Sequence, residues 1–461
     1  MADWLFKAGF LLLLLALLTL GTLNYLGWRR VKAVWPFYVF LLLAGIGITV
    51  YVRGMVHELK IPYPSDEAQY VGILGDLASG RSVPVSGPGY VYCMQLLHFL
   101  LPGSNYANIV AVSGAIVGCL CLIVIYMGYR RSLKGELHAM AAVLLLLTTS
   151  YFLWPMLEGR PQQLGMLIAF IGVLLFHRYL KDGKFAVAFF IVLALSFFYH
   201  ILTFLILSGI CLLLWWWGYA KGKVPLVRGI PLAAAILLGL ALFSIDGFIY
   251  GPMSSGVEWS FAGTGVSFLT DAYILVPMAI ALIAVAIPVT WAVKRYCALA
   301  RFERLAQGHG IALGIGAGAL TVAALGIQFY LNYDTYMQKY HSNIPLFLLL
   351  SLGNVAFGGL FIAGAAWMIG NKRTNVYLRA SVAIMLLGLF VLPLSVFLPE
   401  GFNDWFIRII NYWTLLAAPV AVRPLAWAGP KTKVAIMIII PILIILSLIN
   451  ISRDPSILGY P

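Results

Sequence analysis

Apolar runs of about twenty residues, the length a helix needs to cross a bilayer, follow one another along almost the whole chain with short polar interruptions. They fall at roughly 4–27, 34–52, 106–127, 138–157, 162–180, 185–199, 202–219, 229–249, 272–293, 311–330, 345–370, 380–398, 406–428 and 434–451. The pattern predicts an all-α, polytopic helical membrane protein with about 13–14 transmembrane helices. The runs at 185–199 and 202–219 are short. One long helix there would move every later loop to the opposite side, so a hairpin turning at Tyr199-His200 is expected.

The longest polar interval, between Arg53 and Asn108, has a pattern of its own. Pro64 disfavours helix at Tyr63 and Ser65 is a good N-cap, so a helix is expected from there to Ala78, stopping at Gly80. Tyr70, Ile73, Leu74 and Leu77 share one side of it, and it is too short to span, which suits the membrane interface. A second such helix should begin at Pro88, carry Tyr90, Val91, Met94, Leu97 and Leu101, and end at Pro102-Gly103. Residues 53–105 thus form an external platform within a transmembrane domain, 34–461, that an additional helix in 1–33 precedes. That first run begins like a signal peptide but is long, lacks a small-residue cleavage site and is followed by Trp28-Arg29-Arg30-Val31-Lys32, so a retained helix with its N-terminus outside is expected.

The net charge of +14 would suggest nucleic acid in a soluble protein, but the chain is 62% hydrophobic and its polar intervals are too short for a soluble domain. Here the placement of charge gives the topology instead. Alternate loops hold Arg29, Arg30 and Lys32, then Arg130, Arg131 and Lys134, then Arg178, Lys181 and Lys184, and the clusters continue to Arg423, Lys431 and Lys433. Of the carboxylates only Glu136, Asp182 and Glu303 share that side. The positive-inside rule makes it cytoplasmic, which describes a multi-pass protein of the plasma membrane with Asp66 and Glu67 facing outward. No nucleic-acid partner is expected. The five cysteines suggest neither a disulfide framework nor a metal spacing.

Two adjacent carboxylates at an apolar surface call for an explanation. Asp66 and Glu67 fall in the first turn of the expected helix, where free N–H groups and the helix dipole favour the ionised form. Arg81 follows at the end of that helix. Glu158-Gly159-Arg160-Pro161-Gln162-Gln163 sets an acid, a base and two amides between apolar runs. It reads either as a tight turn with a surface ion pair or as a phosphate contact made by Arg160. His200 reads as an interfacial histidine or a substrate contact, and Arg408 completes the outer basic set. The loop 246–271 has the length and glycines of a mobile lid, and the tyrosines and amides of 330–341 suit either an interfacial belt or sugar stacking. No run carries an internal row of charges such as a proton or ion relay needs.

These features suit a substrate with a lipid tail and an anionic head. Glycosyl transfer from a polyprenyl-phosphate sugar is the economical reaction, because the phosphate leaves as a weakly basic anion and needs no general acid. One carboxylate could deprotonate an acceptor hydroxyl while arginines stabilise the departing phosphate. Asp66 is the expected base. Glu158, Arg160, His200, Arg81, Tyr70 and Arg408 are the expected substrate contacts, and the acceptor is a glycan, lipid or protein hydroxyl. No cofactor is called for; a divalent metal, if used, would sit at Asp66.

Asp66-Glu67-x-x-Tyr70 after an outward-ending helix, then Gly80, Pro84 and Gly87-Pro88-Gly89-Tyr90, resembles the first external loop of the GT-C superfamily of integral-membrane glycosyltransferases. The protein O-mannosyltransferase and aminoarabinose transferase branches are the most similar. The motif likeness covers about residues 60 to 105, with weaker support from Glu158 and Arg160. The resemblance implies an inverting transferase using a polyprenyl-phosphate sugar, with Asp66 as catalytic acid-base residue and Glu67 assisting or binding substrate. The extra first helix, the missing soluble C-terminal domain and the lack of an inserted β-trefoil loop depart from the family and favour a small or lipid-linked acceptor. A transporter or flippase for a lipid-linked saccharide, and an O-antigen-type polymerase or ligase, are the competing readings. A transporter would gather its polar groups near the midplane.

Overall fold

The computed structural model describes residues 2–28, 35–56, 66–80, 88–133, 135–244, 344–370, 401–426 and 430–453, with isolated positions between 288 and 319. About 91% of it is helical, and no strand occurs among the described residues. Six of the described helices are long and apolar enough to cross a membrane, seven if one bent pair counts as a span. The fold is that of an all-α polytopic membrane protein, as the hydrophobic pattern predicts. The spans expected at 380–398 and, apart from isolated positions, at 272–293 and 311–330 lie outside the described residues, as do the 246–271 and 330–341 loops and Arg81.

The first helices are α1 (Ala2–Trp28) and α2 (Trp35–Thr49), which continues in a π-helical turn, Val50–Val56. Two short helices follow, α3 (Asp66–Ala78) and α4 (Pro88–Leu100), starting where the Ser65 cap and Pro88 predict. Gly80 ends the first of them in the left-handed region, at φ 79°, a conformation that glycine adopts without steric cost. Next come α5 (Tyr106–Leu133), α6 (Glu136–Leu147), α7 (Ser150–Leu157) and α8 (Pro161–Asp182). The hairpin expected at Tyr199-His200 is present: α9 (Ala186–Tyr199) and α10 (Ile201–Ala220) meet at His200 and pack on each other. α11 (Ile230–Ser244), α12 (Ile344–Gly370), α13 (Gly401–Ala421) and α14 (Pro430–Arg453) complete the described helices.

The core lies where α5, α6, α7 and α8 meet α12, α13 and α14. α6 is buried on every side from Ala139 to Leu147, so its continuous apolar run marks a helix enclosed by others rather than one facing lipid. α1 packs against α2 and α14, which ties the N-terminal helix to the last one. The expected span 138–157 is a broken one: α6 and α7 bend by 81° at Thr148-Thr149.

At 1.5 Å per residue α5 is about 40 Å long, with Arg130 and Arg131 in its last turn and the short helices α3 and α4 packed along its first turns. A satellite cluster of Ile73, Leu74, Tyr90, Val91, Met94, Ile109, Val110 and Tyr199 glues these helices to the starts of α5 and α8 and the end of α9. All the polar groups discussed next gather at that one end.

Candidate functional site

The loop Glu158-Gly159-Arg160, between α7 and α8, is held from three sides. Gly159 lies so close to α5 that a Cβ on it would sit 2.3 Å from the Val110 carbonyl oxygen, and a Cβ on Gly114 would sit 2.6 Å from its Cα. Only glycines allow this approach. Its N–H donates to Glu67 Oε1 at 2.5 Å, and its carbonyl accepts from the Tyr90 hydroxyl. The two short helices α3 and α4 therefore each grip one peptide group of the loop. The Tyr90 ring sits edge-on to Tyr70 at 5.2 Å and to Tyr199 at 6.1 Å. Burial, first of all, lifts the Tyr90 phenol well above its usual range and keeps it a donor.

Glu67 is wholly buried, and its carboxylate receives a bidentate pair from Arg53, with Nη1 to Oε1 at 2.7 Å and Nη2 to Oε2 at 2.8 Å. Arg53 Nη1 also donates to the Leu157 carbonyl at 2.8 Å. A fork-to-fork geometry of this kind fixes orientation as well as charge. Arg53, which the sequence places at the end of the second span, stands in the π-helical turn and joins α2, α3 and α7. Asp66 opens α3 immediately before Glu67; its side chain lies outside the described residues, and so does the metal position considered there. Among the described residues no group of three or more His, Cys, Asp or Glu could hold a metal ion.

Glu158 and Arg160 do pair, with Nε to Oε2 at 2.6 Å, but not at the surface: they are 1% and 3% exposed. The tight turn with a surface ion pair is corrected in that respect, because the platform covers the turn. Arg160 occupies the N-cap of α8, with Pro161 at the first helical position. A cation at a helix N-terminus opposes the dipole, so Glu158, or any anion that joins it, relieves the strain of charge there.

His200 is the N-cap of α10 and is buried. Its Nδ1 is 2.9 Å from Thr203 Oγ1, which in turn lies 2.7 Å from the Tyr412 hydroxyl of α13. Burial, then the charges of Arg408 and Arg160, push the imidazole down to about 3, so it is neutral at physiological pH. Gln162 Nε2 donates to the Arg408 carbonyl at 3.5 Å, and Gln163 Nε2 to the carbonyls of Gly114 and Met156. The amides thus stitch the loop to α13 on one side and α5 on the other.

The structure brings together Glu67, Glu158, Arg160, His200, Arg408 and, through Tyr90, Tyr70. The buried pairs Arg53–Glu67 and Arg160–Glu158 flank Gly159, the charges of Arg160 and Arg408 act on a neutral His200, and the N-termini of α8 and α10 add partial positive charge. Helix N-termini of this kind favour anions. Sequence reasoning missed Arg53, Thr203 and Tyr412. Arg53 had a signal, being a lone arginine at the end of a span on the side poor in basic residues; the other two had none. No protein-family model, curated protein or solved structure matches the chain.

Proposed function

We propose that this chain is a membrane glycosyltransferase that moves a sugar, with inversion, from a polyprenyl-phosphate donor to a hydroxyl acceptor at the extracytoplasmic face. The observation that carries the reading is the convergence of Arg160, Arg408 and two helix N-termini on a neutral His200, beneath a platform whose first helix begins at Asp66. The resemblance of the platform sequence to GT-C enzymes supports it independently.

In the reaction Asp66 takes the proton of the acceptor hydroxyl as its oxygen forms a bond to the anomeric carbon. The bond from that carbon to the phosphate oxygen breaks, its electron pair staying on the phosphate, which gains a negative charge. Arg160 and Arg408 stabilise that charge where it develops, the moment at which a fixed dipole or cation contributes most. His200, neutral, holds Thr203 and Tyr412 in place and takes no part in the proton transfer. Glu67 is a positioning residue: both its oxygens serve Arg53 and Gly159, and Asp66 is set by the helix that Glu67 anchors. The acceptor is a hydroxyl of a glycan, lipid or protein, and membrane lipids complete the surroundings.

Mass spectrometry of lipid-linked glycans and glycoproteins from cells lacking the protein would identify donor and acceptor. In purified protein, Asp66→Asn should lower transfer by about 10²–10⁴-fold, the range for removing a general base. Unchanged transfer in that variant removes Asp66 from the mechanism. Movement of a lipid-linked sugar across vesicles with no bond made or broken would favour a transporter.

A further inference from the structure

The α13 helix carries Arg408, Asn411, Tyr412 and Leu415 at helical spacings of three and four, so they occupy one face. Two of them show where that face points: the Tyr412 hydroxyl meets Thr203, and Leu415 lines a small cavity with Gln163, Met156 and Cys121. Asn411 shares that face, 0% exposed, and neither its amide oxygen nor its amide nitrogen has a hydrogen-bond partner among the described residues. Its side chain is thus enclosed on the helix that carries Arg408, about one turn further along it.

A buried amide with both ends unmatched is costly in a folded protein. Apolar side chains of similar size would serve packing better. An amide offers one acceptor and two donors in a plane. That pattern complements a pair of neighbouring hydroxyls, one donating to Oδ1 and the other accepting from Nδ2. Anionic groups suit the arginines above it, whereas hydroxyl pairs belong to a sugar ring.

We infer that Asn411 is a specificity-determining residue that binds two hydroxyls of the donor sugar, below the phosphate held at Arg160 and Arg408. This inference rests on the glycosyltransferase reading of the site. It adds the part of the ligand recognised at each depth: phosphate near the platform, sugar hydroxyls against α13.

The test uses the purified full chain in lipid nanodiscs and two probes, polyprenyl phosphate alone and polyprenyl phosphate carrying mannose. Wild type should bind the mannose-bearing lipid more tightly than the bare one. Asn411→Leu should bind the bare lipid within about twofold of wild type and lose about tenfold or more on the mannose-bearing one, the loss of two neutral hydrogen bonds. Its melting temperature should be unchanged or higher, because an unmatched amide has been removed; a clear drop would show that the amide serves packing and would overturn the inference. Equal binding of both probes by wild type and variant, with the bare lipid still bound, overturns the role of Asn411 and leaves the phosphate site standing. Binding of neither probe by wild type overturns the glycosyltransferase reading itself, and this inference with it.

Discussion

Removing Arg53 should destabilise the protein more than any surface change, and removing its partner as well should restore part of the loss. The side chains of Arg53 and Glu67 are 9% and 0% exposed, so neither charge can turn to water when the other disappears. Breaking a buried pair from one side costs about 3–5 kcal/mol. Arg53→Met keeps most of the volume and leaves the Glu67 carboxylate with the Gly159 N–H. Glu67→Leu leaves a buried guanidinium that still meets the Leu157 carbonyl. In the double variant both charges are gone and the chief loss is an acceptor for the Gly159 N–H, about 1–3 kcal/mol. The double variant should therefore be more stable than either single one, with a coupling of about 3 kcal/mol or more. Denaturant titration in detergent micelles, followed by tryptophan fluorescence, gives the three free energies. If the two losses simply add, the pair does not hold the loop and the account of Glu67 as its anchor fails.

The histidine gives a pH test. His200 sits at about 3 against an ordinary 6.5, so below pH 6.5 the unfolded chain takes up a proton that the folded chain refuses. Its contribution is fully present above about pH 6.5 and falls with pH below that, by about 2 kcal/mol at pH 5. His200→Gln should flatten the stability curve over that interval, and an unchanged slope would show that His200 is accessible to protons. At the close approach of loop and helix, Gly159→Ala should cost about 1–3 kcal/mol through overpacking against Val110. Thermal melting measures it, and a wild-type midpoint would mean that the loop can move away from α5.

The helices were legible because membrane spans declare themselves by length and apolarity alone. Capping chemistry placed the starts of α3 and α4, and the side-swapping argument placed the turn at His200. Glu158, Arg160 and Arg408 stood out because charge is rare in this chain. What the pattern could not carry is burial at a helix end. Glu158-Gly159-Arg160 looks like any exposed turn until Gly114 and Gly159 let it settle against α5 and the platform closes over it. Glu67 read as the companion of Asp66, whereas its partner, Arg53, lies 14 residues earlier on another element. Thr203 and Tyr412 are 209 residues apart and carry no charge, so nothing in either neighbourhood announces their contact.

The break in the fourth apolar run explains why the loop reaches its place. A straight helix from Glu136 to Leu157 would continue in one line, but the 81° bend turns α7 across the bundle, and its last turn passes over Gly118 of α5. A break inside an apolar core exposes peptide groups that lipid cannot satisfy. Here the chain supplies the partners from far away. Ser447 of α14 donates to the Thr148 carbonyl at 2.5 Å, and Asn354 of α12 accepts from the Ser150 N–H at 3.1 Å, acting as a cap for α7 borrowed from another helix. Thr148 and Thr149 turn their own hydroxyls back to Leu145 and Leu146. Since α7 ends at Leu157, whose carbonyl holds Arg53, the direction set at Thr148 is passed on to the carboxylate of Glu67 and so to the start of α3. The helices after residue 344 thus shape a site whose charged residues nearly all lie before residue 161.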